Sequence, residues 1–259
     1  MEQTKSADGT AIAFTRSGAG PALILIGGAL SDRLGAAPLA DRLAPRFTVY
    51  TYDRRGRGSS GDTLPYAVER EIDDLAAVIA AAGGSALVYG HSSGAVLALE
   101  AAMAGLPIIR LAAYEPPYIL EGDRPLPPAD LAARIEELVS SGQPGEAVKA
   151  FLVEAVTMPA EIVDGMAASP AWPSMEALAP TLPYDIAVVG VGNVMPAERL
   201  TTLRIPTLVL DGGASPEWAR NSVAALASTI PGAERFSLEG QTHGADIQLL
   251  TPVLVDFFS

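Results

Sequence analysis

The stretch Leu87-Val88-Tyr89-Gly90-His91-Ser92-Ser93-Gly94-Ala95-Val96-Leu97 constrains this chain more than any other. An apolar run of strand type stops at a glycine-flanked His-Ser-Ser and restarts as small and aliphatic residues of helical type. A strand that turns this sharply into a helix needs small residues where the two elements approach, and Gly90 and Gly94 supply them. The same strand-then-helix order recurs on both sides of it.

Residues 11–16, 22–26, 47–52, 86–89, 108–114, 207–210 and 234–238 read as strands. The unbroken apolar run at 22–26 is what a parallel strand covered on both faces requires. Helices are expected from a cap at Ser31 or Asp32 to about Leu43, and over 66–82, 93–104, 216–230 and 247–258. Alternation of this kind predicts a mostly parallel sheet with right-handed crossovers, an α/β fold. It breaks between residues 120 and 203, which are proline-rich, with helical segments near 128–141, 145–157, 160–168 and 182–191. The expected organisation is a core of residues 1–119 and 204–259 carrying a helical insertion, residues 120–203, after the sixth strand.

Composition removes several function classes. The chain has 259 residues, 49% hydrophobic and 18% charged, and its apolar runs are far too short to span a bilayer. A formal net charge of −13 repels nucleic acid and anionic membrane alike, so neither is an expected partner. The first residues, Met1-Glu2-Gln3-Thr4-Lys5, lack the layout of a signal peptide, and a cytoplasmic setting is expected. The absence of cysteine excludes disulfides and thiol catalysis. With two histidines and no spaced carboxylate set, no metal site is expected, and the loop Gly56-Arg57-Gly58 lacks a phosphate-binding pattern. No cofactor is expected.

Gly90-His91-Ser92-Ser93-Gly94 fits the G-x-S-x-G nucleophile elbow, which makes Ser92 the candidate nucleophile. His91 shares the turn, and its side chain is expected to point away from that of Ser92. The general base then falls by elimination to His243, in the loop between the last strand and last helix. Two backbone N–H groups must face the developing oxyanion. Ser93, opening the helix, and Ala29, in the turn Gly27-Gly28-Ala29, are expected to supply them.

These motifs together, with Tyr52-Asp53-Arg54-Arg55-Gly56-Arg57-Gly58-Ser59 and Thr242-His243-Gly244, resemble the α/β-hydrolase superfamily over nearly the whole chain. The resemblance implies a mostly parallel eight-stranded sheet flanked by helices, with the insertion as a cap. It also implies that Asp53 is structural and that Arg54, Arg55 and Arg57 brace their loop rather than bind an anion. Two departures from the family pattern stand out. The usual His-Gly after the third strand is Gly27-Gly28, which leaves a backbone oxyanion hole possible. The position that holds the triad acid in much of the family carries Ser215. Some members, lactone hydrolases of the zearalenone type among them, place the acid after the sixth strand. Glu115 matches that placement, and Asp211 is the alternative.

The expected activity is that of a cofactor-free serine hydrolase acting on an ester or lactone of a small apolar substrate. Gly28, Met158, Met166, Trp172, Met175 and Tyr184 are candidates for the pocket, and the aromatic and methionine residues equally for the cap's own core. Epoxide and haloalkane hydrolysis need a carboxylate where Ser92 stands. A cofactor-free perhydrolase of the haloperoxidase type, or a non-hydrolytic ligand-binding protein or cyclase on the same scaffold, are the rival readings. Monomer and homodimer both remain open.

Overall fold

In the computed structural model, which describes all 259 residues, the strands are β1 (Glu2–Lys5), β2 (Ala11–Ser17), β3 (Ala22–Ile26), β4 (Thr48–Tyr52), β5 (Ala86–His91), β6 (Ile108–Tyr114), β7 (Thr207–Gly212) and β8 (Glu234–Leu238). They form one sheet in the order β1-β2-β4-β3-β5-β6-β7-β8. From β4 to β8 every pairing is parallel, and β2 meets both β1 and β4 antiparallel. The chain runs outward from β3 to β4, then jumps back so that β5 pairs with the other side of β3. Loops leaving β3 and β5 therefore part at this point, and a crevice opens at their carboxyl ends. The residues Gly27-Gly28-Ala29 and Ser92 lie there.

Two apolar layers cover the sheet. One packs Ile24, Ile26, Val88 and Leu111 against α2 (Val68–Ala81), α3 (Ser93–Met103) and, through Val223 and Leu226, the helix Glu217–Thr229. The other packs Leu23, Leu25, Leu87 and Leu210 against α1 (Ala37–Leu43) and the closing helix Ile247–Phe258. Small residues let α3 bury almost all of its surface, from Ser93 to Leu99.

Between β6 and β7 the chain is helical: α4 (Leu131–Ser140), α5 (Pro144–Ala150), α6 (Ala160–Ala167), α7 (Trp172–Leu178), α8 (Leu182–Val189) and α9 (Ala197–Leu200). It has a core of its own, with Leu131, Ile135, Val148, Trp172 and Leu182 buried together. Yet Val188, Val189, Leu200 and Leu203 join the layer beneath the sheet, so the insertion is welded to the main body at its C-terminal end. The helices Glu217–Thr229 and Ile247–Phe258 are α10 and α11.

Strand β1 and helices α1 and α7 differ from the sequence reading, as does the four-residue helix α9. Strand β1 was not expected, because as a largely exposed edge it has no apolar face to betray it. Helix α1 begins at Ala37, since Asp32 Oδ1 takes the N–H groups of Leu34 (2.9 Å) and Gly35 (3.0 Å) and caps a turn instead. Helix α7 lay hidden among prolines, but Pro173 stands in its first turn, where a missing N–H costs nothing.

Candidate active site

Ser92 occupies the tip of the turn between β5 and α3 with φ 56° and ψ −124°. Side-chain-bearing residues avoid this region, and such strain persists only where the surroundings enforce it. Glycines enforce it here. A Cβ on Gly90 would lie 2.5 Å from the Gly94 carbonyl, and one on Gly94 would lie 2.5 Å from that of Ile26. Gly28 is as tightly placed, because a Cβ there would stand 2.9 Å from Ser92 Cβ.

Glu115 follows β6, also with positive φ (44°), and its side chain is buried. Its Oε2 accepts the Nδ1–H of His243 at 2.6 Å. Its Oε1 accepts from the Gly212 N–H (2.8 Å) and from the Ser215 hydroxyl (2.5 Å). Burial pushes the carboxyl pKa up, but these three donors outweigh it and hold the group below its ordinary value. Asp211 is engaged elsewhere: Oδ2 takes Nε and Nη2 of Arg235 at 3.0 and 2.7 Å, and Oδ1 takes the Ser237 hydroxyl. The structure brings Glu115 to His243, and ties Asp211 to β8.

His91 lies nearer the site than the sequence suggested. Its Nε2 pairs with the His243 carbonyl at 2.8 Å, and its ring sits 4.5 Å from that of His243. Burial, and then the neighbouring His243, lower its pKa to about 4, so it is neutral at ordinary pH. Neither the Ser92 hydroxyl nor His243 Nε2 is consumed by another protein group; the two residues line one cavity.

The N–H groups of Ala29 and Ser93 line the same cavity and have no acceptor within the protein. Behind them lies a buried ionic network. Arg57 donates Nη1 to the Gly28 carbonyl (2.7 Å) and Nη2 to Asp185 Oδ2 (2.6 Å). Asp185 Oδ1 accepts from the Ser93 hydroxyl (2.6 Å) and from Arg54 (2.7 Å), and Arg54 forks onto Glu71. In a trans peptide the C=O of Gly28 and the N–H of Ala29 point in opposite directions. Clamping the first aims the second. Arg54, Arg55 and Arg57 thus brace their loop, as expected, with Arg55 held by Asp74 and Asp8.

The cavity measures about 530 Å³. Gly28 and Met158 line it, with Leu30, Phe151, Leu152, Ile186 and Val189. Part of this wall is a π-helical turn, Phe151–Ala155, that continues α5. Of the residues left open between the pocket and the insertion's own core, Met166, Trp172, Met175 and Tyr184 are not among those lining this cavity. Trp172 is buried in the insertion's own core, with Nε1 bonded to Glu176 at 3.0 Å, and Met166 and Met175 pack against that core. Tyr184 stacks on Tyr66 (3.9 Å between rings) and donates to Asp62, while its neighbours Asp185 and Ile186 face the cavity.

Residues 23–249 match the model of the alpha/beta hydrolase family. The chain belongs to that family. Among solved structures, an alpha/beta hydrolase from Sphaerobacter thermophilus shares 56% identity over 100% of both chains, with a TM-score of 0.96. Among curated relatives, the N-formylmaleamate deformylase of Pseudomonas putida is 36% identical over 140 residues, 52% of each protein. A pimeloyl-[acyl-carrier protein] methyl ester esterase of Xanthomonas campestris is 41% identical over 86 residues, 33% of this chain and 32% of the esterase. The chain therefore spans about half the length of the deformylase, and less of the esterase.

Within this alpha/beta hydrolase, sequence reasoning missed Ser215, Asp185 and Arg124. Ser215 was noticed only as a carboxylate lacking from its expected place. Asp185 sits in a helix with no motif, and only the odd apolar surroundings of a lone acid, Leu182-Pro183-Tyr184-Asp185-Ile186-Ala187-Val188, hinted at burial. Arg124 lines the cavity from the loop after β6, where nothing in the sequence marks it.

Proposed function

We propose that this protein is a serine hydrolase acting on an ester or lactone through Ser92, His243 and Glu115. The observation that carries the proposal is the 2.6 Å bond from His243 Nδ1 to a buried Glu115 carboxylate beside the cavity that Ser92 enters. Glu115 fixes the tautomer that leaves Nε2 unprotonated and stabilises the imidazolium. His243 Nε2 takes the Ser92 proton as Oγ attacks the carbonyl carbon. The resulting oxyanion receives the N–H groups of Ala29 and Ser93. Collapse expels the alcohol, which His243 protonates, and a water then releases the acid by the same steps in reverse order. Contacts of the Ser–His type are often loose in the free enzyme and tighten around substrate.

The residues between β6 and β7, about 120–203, act as the cap over this site. A mostly apolar wall and a volume of about 530 Å³ suit a small acyl substrate. Similarity to a methyl ester esterase and to a deformylase supports acyl hydrolysis over epoxide or haloalkane chemistry. The test is labelling by a fluorophosphonate probe, with the modified peptide located by mass spectrometry. Adduct on Ser92, absent in Ser92→Ala, supports the reading, and an unlabelled wild-type protein overturns it.

A further inference from the structure

The other ionised groups on the cavity wall are held by partners: Glu115 accepts from His243, Gly212 and Ser215, and Asp185 lies between Arg54 and Arg57. Arg124 has no counter-charge. No carboxylate lies within ion-pair distance of it, although the chain carries 30 acidic residues against 17 basic ones. The adjacent Asp123 accepts instead from Asn221 Nδ2 at 3.1 Å. The guanidinium lies 4.2 Å over the ring of Trp218, another residue of the wall, and Nη1 donates to the Ala155 carbonyl at 3.0 Å. Nε is shut off from solvent with no partner, and Nη2 has no protein acceptor.

A half-buried cation with a spare donor edge is costly unless something supplies the missing charge. Burial alone, uncompensated, lowers the Arg124 pKa, whereas carboxylate partners raise that of Arg55. Nη2 is the donor left to take an oxygen of a carboxylate brought into the cavity, beside the uncompensated charge of the whole guanidinium. Stacking on Trp218 and the bond to Ala155 hold the guanidinium in place, so little side-chain freedom is lost on binding.

We infer that the substrate carries a carboxylate at the end remote from its scissile carbonyl, and that Arg124 binds it. This rests on the hydrolase reading above and narrows its substrate class to acidic esters or lactones: an apolar middle between Ser92 and Arg124, with an anionic tail. The net charge of −13 works against long-range attraction of such a molecule, so recognition is a contact effect inside the cavity.

The experiment compares two ester series, monomethyl esters of linear dicarboxylic acids from succinate to suberate and methyl esters of unbranched fatty acids of equal length. At the best length, wild-type kcat/KM is expected to favour the acidic ester by about tenfold or more, and Arg124→Gln to reduce that ratio about tenfold. Arg124→Lys, which keeps the charge and loses the planar group held against Trp218, should fall between. Neutral esters preferred at every length, or a ratio untouched in Arg124→Gln, overturns the inference. Should Arg124→Gln fail to fold for want of its Trp218 contact, the wild-type comparison and the lysine variant decide. Calorimetric titration of Ser92→Ala with adipate separates this inference from the hydrolase reading, because it needs no turnover. Binding lost in Ser92→Ala/Arg124→Gln supports the anion site; binding absent from the first protein, or equal in both, overturns it. Adipate binding by a protein that fluorophosphonate leaves unlabelled would sink the hydrolase reading and uphold the anion site.

Discussion

Ser215 donates its hydroxyl to Glu115 Oε1 at 2.5 Å, while the other oxygen of that carboxylate holds the His243 ring. Ser215, at the place where the family resemblance would put the acid, here supports a carboxylate at the end of the neighbouring strand. Replacing Glu115 with Gln should lower kcat by up to about 10⁴, because the amide disrupts the tautomer His243 needs. Asp211→Asn should instead leave most of kcat and lower Tm, since it weakens the pairing of a buried carboxylate with the exposed Arg235. Steady-state kinetics with thermal melts distinguishes the two, and a larger kcat loss in Asp211→Asn would reassign the acid.

Ser215→Ala removes one of three donors that hold the Glu115 carboxyl below its ordinary pKa. The folded-state pKa should rise, so stability drawn from this group, full above the unfolded value and lost as pH falls through the folded one, disappears at a higher pH. A series of melts between pH 3 and 7 should show the variant destabilised most at neutrality, with the gap to the wild type narrowing towards the acid end, where both proteins have lost this contribution. Parallel curves would mean that Ser215 does not tune the carboxylate.

His91 shows the same direction of pH dependence in a base. Its folded pKa of about 4 lies below the ordinary 6.5, so the native state favours the neutral ring. Stability is full above the unfolded value and declines as pH drops from about 6.5 towards 4, by at most about 1.4 kcal/mol per pH unit for one proton. His91→Gln should flatten that slope in a melt-versus-pH series. A slope that persists unchanged assigns it to other groups.

Arg57 acts through the Gly28 carbonyl, and its loss should be felt in the chemical step. Arg57→Met should reduce kcat by about ten- to a hundredfold, below the cost of deleting an oxyanion donor outright, with a smaller change in KM. It should also destabilise by about 3–5 kcal/mol, because Asp185 is left buried with half its partners. Asp185→Asn with Arg57 retained separates the effects. A fall in Tm with kcat intact for both variants would reduce the network to scaffolding.

The division between cavity wall and insertion core gives a fifth contrast. Trp172→Ala should cost about 3–5 kcal/mol through the cavity it leaves in the insertion's core. Met158→Ala should shift preference among acyl chain lengths with little change in Tm, because Met158 lines the substrate cavity. Chain-length profiles for both proteins check this.

How much of this was legible in the sequence follows from the range of each interaction. The elbow is local: a strand, two glycines and a helix of small residues specify a turn regardless of the rest, so Ser92 and Ser93 stood out. The sheet was legible because apolar period and glycine spacing are local too, with β1 lost only for lacking an apolar face. His243 emerged because the chain has just two histidines. The acid stayed divided between Glu115 and Asp211, since only the packing of β6 beside β7 decides which carboxylate meets the imidazole. Trp172, Met166 and Met175 show the same limit: an apolar face on a short helix does not say whether it faces its own core or the cavity. Asp185 and Arg57 are 128 residues apart, and no spacing rule joins them.

That last pairing bears on how proteins of this shape diversify. Helices grafted over a conserved sheet are the natural currency for altering specificity, by recombination or by design. Here one of those helices brings the carboxylate that pairs with two arginines of the sheet's own loop and steadies the peptide beside Ser92. A chimera that receives a foreign insertion without an acid at this point leaves Arg54 to Glu71 but strands Arg57, and slackens the Gly28 peptide that Arg57 clamps, however well the new helices fit their ligand. Transplantable units in this scaffold end before α8, and the stretch from Leu182 to Val189 travels with the sheet.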